Sequence, residues 1–485
     1  MSAVGSILTN TGALSALNSI AATSQSNNTL QSELASGLSI NSPADNPAGY
    51  ITAQGFTSQL NGLTQATSNA NQAVSLLQTA QSAIGQQISV VQQLNSIAVQ
   101  AANGTQTAAE SQSLQTLVGQ LTGQVTTIAQ QTQFNNINLL SGTFSGVQFQ
   151  VGANEGQTLS LSIGNTQASN IGMYATSASN TTYKSGSSAA SALVSTAGAF
   201  TAGAMKISGP TGGSASVTLT ATESAAAAAS AVNNVAGTTG VQAQATNTAT
   251  YAVSVGSAGL KFSLEASKAG TASSAVVGNK ISVNASSLSE AVSQINQQTS
   301  TSGIVASSAS GKLNLKQLNG QNIVFTAVGT SAAASGSLKT TGSTPVTVAA
   351  ADIQQGQVQL QSSAAFSVSG TGSLGNNAAT LNSLANINVG TQAGANNAIN
   401  VIKYALAGLN NQGGQLGAVQ QRLTANINNL NATSTNVTTA LGVVQDANIP
   451  QVANQLTQAT IQAQSGVAAL KSSTQLQQSY LSLLP

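Results

Sequence analysis

The sequence predicts a multi-domain protein: an all-α antiparallel coiled coil or helical bundle built from both termini, carrying a β-hairpin and bracketing an inserted α+β or β-rich outer region. Three observations predict it. Between residues 60 and 98, apolar or small residues fall at Leu60, Leu63, Thr67, Ala70, Val74, Leu77, Ala80, Ile84, Ile88, Val91, Leu94 and Ala98. These steps of three or four are the period of one helix face. The same steps return near the other end at Ile399, Ile402, Leu406, Leu409, Leu416, Leu423, Ile427, Leu430, Val437, Leu441 and Val444, a long seam suited to pack antiparallel on the first. Between them, from about 176 to 394, Ser, Thr, Gly and Ala dominate and apolar residues alternate in short runs.

Composition sharpens this reading. The 485 residues are enough for about two to four domains. Only 4% are charged and 3% aromatic, and His, Cys and Trp are absent, so the core must be built from many small contacts. A net charge of +2 and strong helical periodicity argue against disorder. No charged residue lies between Asp45 and Glu110, and the outer face of the 60–98 helix carries Gln, Asn, Ser and Thr. A free helix of this length needs Lys and Glu for solubility, so this rod expects neighbours around much of its circumference. The first residues lack a basic region and a continuous apolar stretch, so no cleavable secretory signal is visible. No apolar run approaches ~20 residues, and no membrane span is expected. Eight of the eleven basic residues are scattered singly between Lys184 and Lys339, with almost no aromatic partners, which excludes a nucleic-acid surface.

The elements follow in order. Ile7, Leu14, Leu17, Ala21, Leu30, Leu34 and Leu38 mark a first helix, weak alone because Asn and Ser interrupt its face. A connector rich in Pro and Gly runs to Gly49. The long helix stops near Asn103-Gly104, and a third spans 108–131 with Leu114, Leu117, Leu121, Val125 and Ile128 on one face. Val147, Phe149 and Val151, then Leu159, Leu161 and Ile163, alternate on either side of a Gly-rich turn, the signature of a β-hairpin. The 176–394 region holds two repeats, at about 200–265 and 280–326. Val232-Asn233 precedes Gly240-Val241-Gln242-Ala243 at the distance by which Ile295-Asn296 precedes Gly303-Ile304-Val305-Ala306. Each repeat is expected to open with a strand (205–208; 280–284), continue with a short helix (223–232; 288–295) and close with strands (251–255 and 260–264; 312–315 and 323–325). Val358, Leu360, Phe366 and Val368 add one further strand pair. A break at Asn448-Ile449-Pro450 starts a last helix with Val452, Leu456, Ala459, Ala463, Val467, Leu470, Leu481 and Leu484 on its face.

Catalytic chemistry has little to work with. Without His or Cys, neither Ser-His nor Cys-His arrangements can form, and the nine carboxylates show no paired spacing. No catalytic, cofactor or metal site is expected, and the chain reads as no enzyme. Gly209-Pro210-Thr211-Gly212-Gly213 lacks the Lys of a phosphate loop and reads as a turn. Asp45 reads as a turn or helix cap, and Tyr174, Tyr183 and Tyr251 as packing residues.

Taken together, several motifs resemble bacterial flagellin across residues 1 to about 175 and 395 to 485. They are Leu34-Ala35-Ser36-Gly37-Leu38-Ser39-Ile40-Asn41-Ser42; Asp45 with Ala48-Gly49; Gly62-Leu63-Thr64-Gln65-Ala66; Ala98-Val99-Gln100-Ala101-Ala102-Asn103; Thr132-Gln133-Phe134-Asn135; Gln150-Val151-Gly152-Ala153-Asn154-Glu155-Gly156; Leu416-Gly417-Ala418-Val419-Gln420-Gln421-Arg422-Leu423; and Leu481-Ser482-Leu483-Leu484. The repeats resemble the insert motif of flagellins and hook-associated proteins. The resemblance implies a self-assembling filament subunit for swimming motility. Residues 1–40 and 450–485 would form an innermost domain that orders on assembly. Residues 41–175 and 395–449 would form the rod with its hairpin, and 176–394 the outer insert. The rod seam would comprise Leu63, Val74, Leu77, Ile84, Ile88, Val91, Leu406, Leu409, Leu416, Leu423, Ile427 and Leu430. The partners implied are further copies, an export chaperone, and cap and hook-junction proteins. Location would be the extracellular flagellum, reached by flagellar type III export with an uncleaved signal. O-linked sugars on the Ser/Thr-rich insert are a further expectation.

The chain also departs from the family. Where flagellins usually place Arg and Glu in the stretch contacted by the animal flagellin-sensing Toll-like receptor, this chain has Gln93, Asn95 and Ser96. The resemblance therefore implies weak recognition by that receptor, since Gln and Asn cannot reproduce a bidentate Arg contact. Scarce titrating groups make acid tolerance a second expectation. Two alternatives stand beside the filament reading: a hook-associated junction protein, and a secreted adhesin whose outer repeats bind a surface or glycan.

Overall fold

The computed structural model describes residues 10–177, 183–186, 203–220, 224–255, 259–267, 280–327, 337–340, 351–370, 374 and 378–481. The chain forms α1 (Thr11–Ser36), α2 (Pro47–Ala101) and α3 (Ala108–Gln131). Short strands follow: β1 (Gln133–Phe134), β2 (Ile137–Asn138), β3 (Val147–Gln150), β4 (Thr158–Leu161), β5 (Gly172–Ala175) and β6 (Tyr183–Gly186). The insert continues with β7 (Gly203–Ser208), β8 (Ser214–Leu219), α4 (Ala225–Asn234), the single turn α5 (Ala236–Thr239), β9 (Gln242–Ser254), β10 (Leu260–Ser267) and β11 (Ile281–Ala285). Next come α6 (Leu288–Asn296), the turn α7 (Thr299–Ser302), β12 (Ile304–Ala309), β13 (Lys312–Gln317), β14 (Asn322–Ala327), β15 (Ser337–Thr340) and β16 (Ala351–Gln354). Last are β17 (Gln357–Ser362), β18 (Ser367–Gly370), β19 (Thr380–Ser383), α8 (Gln392–Gln445) and α9 (Ile449–Leu481).

Two compact units divide the chain: Met1–Gln78 with Gly146–Ser162 and Leu416–Pro485, and Thr79–Ser145 with Ile163–Gln415. In the first, α1 and α9 run antiparallel, with Asn10 bonded to Gln477 and to the Ser473 carbonyl, and Ile20 against Gly466. A Cβ added at Gly466 would lie 2.9 Å from Ile20, so this glycine sets how closely the two helices approach. Leu63 and Ala66 of α2 share a core with Leu430 of α8, flanked by Ala153 of the β3–β4 hairpin and by Val437. The hairpin lies where the alternating residues placed it.

In the second unit the later half of α2 meets the start of α8, with Ile84 against Gly413 and Gln392 Nε2 donating to the Ala102 carbonyl at 3.1 Å. The pairing is antiparallel, as the two periodic seams predict. Helix α3 begins at a reciprocal cap in which Thr107 Oγ1 accepts from the Glu110 amide and the Glu110 carboxylate accepts from the Thr107 amide.

The insert corrects one expectation. Its two repeats are not tandem; the second is nested inside the first. In the first, β7 pairs with β8 and β18, and the start of β9 pairs with β17. In the second, β10 pairs with β11 and β14, and β12 pairs with β13. The strand at 260–264, expected to close the first repeat, opens the second, and the 280–284 strand comes after it. The pair at 358–368, expected to be additional, completes the first repeat. The helix expected from Glu223 begins at Ala225, Glu223 lying outside the described residues. Two separate cores follow this nesting. Met205, Ile207, Val217, Val232, Val358 and Phe366 share one, and Phe262, Leu264, Ile281, Ile295, Leu313 and Phe325 the other. Strand β9 serves both, giving Ala243 to the first and Ala249 and Tyr251 to the second.

The repeated Asn explains the motif. Asn233 Nδ2 donates to the Ala243 carbonyl at 3.0 Å and its Oδ1 accepts from the Ala243 amide at 2.8 Å. Asn296 makes the same two bonds to Ala306, at 2.9 and 2.7 Å. Gly240 and Gly303, at φ 69° and 68°, turn the chain from helix to strand through the left-handed region. The Gly209–Gly213 segment is the β7–β8 turn, closed by the Gly209 amide on the Gly213 carbonyl.

Candidate assembly surface

The seam residues separate into two groups. Leu63, Leu77, Ile84, Val91, Leu409, Leu416, Leu423 and Leu430 are buried. Val74, Ile88, Leu406 and Ile427 are half-buried. The buried stripe of α2 also uses Ala70 and Ala80, both on the predicted face, and Ala66, Ala73, Ala83 and Gln87, each one position before Thr67, Val74, Ile84 and Ile88 respectively. Gln87 is 0% exposed, and its Nε2 donates to the carbonyls of Val125 (3.0 Å) and Thr166 (3.2 Å). A seam built from apolar residues alone leaves out this polar tie, which the Ile88 reading displaced by one residue.

Elsewhere the inward faces mix small and large residues, and several large ones point outward. On α1 the half-buried face is Ala13, Ala16, Ile20, Thr23, Asn27 and Leu30, while Leu14, Leu17 and Leu34 are exposed. The periodicity predicts those three leucines on the packed face. On α3, Ser111, Val118, Thr122, Val125 and Ala129 are buried, and Leu117 stands 41% exposed. On α9, Val452 and Ala459 are buried, Leu456, Ala463 and Leu470 half-buried, and Val467, expected on this face, is 55% exposed. Ile461 and Leu476 are exposed as well; Leu484 lies outside the described residues. Small residues let helix axes approach closely where they line a pair. Large side chains are left open to solvent as well; Leu14 and Leu17, three residues apart on α1, are neighbours on its outer face.

A groove of about 690 Å³ also opens in the first unit, lined by Gln59, Leu63, Asn154, Arg422, Asn426 and Leu430. Arg422 is the only arginine of the chain. The carboxylates near the rods serve local turns. Asp45 Oδ2 accepts from the amides of Asn41 (3.0 Å) and Ser42 (2.7 Å), which holds its pKa below the ordinary value; it is the turn residue expected. The Thr107 amide and hydroxyl lower that of Glu110. In the receptor-like stretch Gln93 and Ser96 are exposed and Asn95 half-buried. No metal-binding group of His, Cys, Asp and Glu occurs among the described residues, and no described helix is long and apolar enough to cross a membrane.

Comparison with known proteins agrees with this architecture. The profile of the bacterial flagellin N-terminal helical region matches residues 7–145, and that of the C-terminal helical region matches 399–484. B-type flagellin of Pseudomonas aeruginosa is 33% identical over 98% of this chain and 99% of its own length. Flagellin 1 of Proteus mirabilis is 38% identical over 34% of this chain and 45% of its own. Among solved structures, FliC of Burkholderia pseudomallei superposes with a TM-score of 0.31 at 20% identity, covering 72% of this chain and 99% of that one. FlgL of Xanthomonas campestris gives 0.33 at 10% identity, covering 79% and 98%. Superpositions this loose carry no argument, and they lend the hook-associated alternative no weight.

Proposed function

The chain belongs to the bacterial flagellin family and is a structural subunit of an extracellular flagellar filament, and on that footing we propose how the subunit assembles and what it meets. Residues 1–40 and 450–485 form the innermost layer, 41–175 and 395–449 the rod around it, and 176–394 face outward. One observation carries the proposal: Leu14, Leu17, Ile461, Val467 and Leu476 stay exposed on helices whose small faces are already used. Each is already about half covered within the subunit, so burying the rest against neighbouring copies contributes about 0.8–1.5 kcal/mol apiece, a gain that adds over the five and favours polymerisation. The terminal helices, with few large residues between them, gain their full order only on assembly.

The finer parts of the reading follow from family membership. The subunit leaves the cell through the flagellar type III exporter, with a chaperone covering its terminal helices, and meets cap and hook-junction proteins at the filament ends. It carries no enzymatic activity. Its Ser/Thr-rich insert accepts O-linked sugars. Gln93, Asn95 and Ser96 make it a poor ligand for the flagellin-sensing Toll-like receptor; a full-strength response in a reporter-cell assay refutes this last point.

Electron microscopy tests assembly. Purified protein is heated mildly, cooled and seeded beside a version lacking residues 450–485. Long filaments from the intact chain alone are expected. Soluble protein from both would remove the terminal helices from the mechanism.

A further inference from the structure

A run of amides crosses from the insert to α8 with every orientation set by its neighbour. Gln359 Nε2 donates to the Thr176 carbonyl at 3.2 Å. Gln361 Nε2 donates to Gln359 Oε1 at 2.9 Å and to Gln244 Oε1 at 3.1 Å, and Asn400 Nδ2 reaches the same Gln244 oxygen at 3.4 Å. Beside this run, Tyr404 Oη donates to Gln242 Oε1 at 3.1 Å. Gln361 and Tyr404 are buried, whereas Gln242, Gln244 and Lys403 are exposed. Burial pushes the Tyr404 phenol up to about 12, so it remains a donor and holds the Gln242 amide in one orientation.

These contacts use the acceptor oxygens of Gln242 and Gln244 and the donor group of Asn400. The Nε2 groups of Gln242 and Gln244, and Asn400 Oδ1, have no protein partner among the described residues. They border a cleft of about 350 Å³, continuous through Gln242, Lys403 and Tyr404 with a smaller one of about 180 Å³. Neither cleft has a carboxylate in its lining. Fixed donors and a fixed acceptor side by side match groups that donate and accept from one atom, as a hydroxyl does. A chain of oriented amides also polarises its free ends and spares the ligand the cost of ordering them.

We propose that this amide-lined cleft between β9, β17 and α8 binds a neutral saccharide, with its hydroxyls accepting from Gln242 and Gln244 Nε2 and donating to Asn400 Oδ1. The assignment stands on the cleft alone and does not depend on the assembly reading. It gives the insert a ligand in addition to its place in the polymer.

Saturation-transfer NMR and calorimetry on the full chain test it, with a panel of neutral disaccharides and one acidic sugar. Millimolar binding of a neutral disaccharide is expected. Gln244→Leu and Asn400→Leu, on different elements, should each weaken it about five- to tenfold, the value of one lost hydrogen bond to an uncharged group. Lys403→Ala should change it by less than about threefold. Thermal melting of each variant separates lost binding from lost folding. Absence of saccharide binding at tens of millimolar would overturn the proposal. So would binding that survives both leucine variants, or binding of the acidic sugar alone that Lys403→Ala abolishes.

Discussion

The helical segments and the nested insert solve the packing problem in opposite ways. In the insert, the large side chains are inside. Phe262 stacks on Phe325 at 4.8 Å, Tyr251 lies 5.7 Å from the same ring, and all three are almost fully buried. In α1, α3 and α9 small side chains share the inward faces with a few large ones such as Val118, Val125 and Val452, and Leu14, Leu17, Leu117, Ile461, Val467 and Leu476 are out. A region that buries its large residues is complete as a monomer. A region that keeps alanines and serines at its internal contacts has spent little apolar area and keeps the rest for another chain. The lesson is that burial within one subunit and burial within the assembly use different residues of the same helix.

The largest test of this contrast lies in the insert. Phe325→Ala should cost about 3–5 kcal/mol of insert stability. It should lower the insert's unfolding transition by calorimetry while filaments still form; a variant that stops polymerising would show the two regions to be coupled. The reverse test is Leu17→Ser with Val467→Ser, both exposed. Monomer stability should change by less than about 0.5 kcal/mol per site, while the two lost contacts, about 0.8–1.5 kcal/mol each, together raise the critical concentration for polymerisation about tenfold or more. Sedimentation of filaments against total protein measures it, and an unchanged critical concentration would mean that these stripes stay wet in the polymer.

A smaller effect sharpens the likeness of the two nested copies. Asn233→Ala and Asn296→Ala each remove a two-bond clamp and should destabilise their own core by about 1–3 kcal/mol, to a similar extent. Two resolved denaturation transitions shifting one at a time would confirm two cores; a single shared shift would mean that β9 fuses them. The smallest expected effect is that of pH. Asp45, Glu110 and Glu290 all have lowered pKa values through hydrogen bonds from their own turns. A carboxylate lowered in the folded state adds stability above its ordinary pKa, and that stability fades as pH falls through the folded value. Melting should therefore hold steady from neutral pH down to the ordinary carboxylate values of 3.8 and 4.5 and decline only below them. Glu110→Gln should flatten part of that decline, and depolymerisation at mildly acidic pH would contradict it.

Much of this fold was legible in periodicity and punctuation. The boundaries of α3, the turn at Asp45, the hairpin and the antiparallel long helices follow from three-four steps, alternation, Gly and Pro. Periodicity, however, defines a face only to within about one residue, and hydrophobicity ranks Ile88 above Gln87. The seam needed a donor at that place to reach two carbonyls, which no apolar pattern announces. The face of α1 differs more, with Leu14, Leu17 and Leu34 exposed, whereas on α3 only Leu117 of the predicted face is exposed, Val125 being buried and Leu114, Leu121 and Ile128 half-buried. The repeated Asn was visible in the sequence, but its clamp on a strand ten residues on was not. Nesting was hidden because a duplicated motif reads the same whether its copies are consecutive or enclosed, and only the long-range partners β17 and β18 decide.

The strand just before the insert and a strand near its end are neighbours: β5 pairs with β19, with Ala175 opposite Thr380 and Gly172 opposite Ser383. The second copy enters and leaves the first in the same manner, since the chain returns at Gln357 opposite Thr246 of β9, the strand from which it departed. A branch that starts and finishes at adjacent points leaves its stem unchanged whatever its length. Lineages of this protein could therefore add, exchange or discard outer modules, altering what the surroundings meet, while the stem that carries them keeps its dimensions.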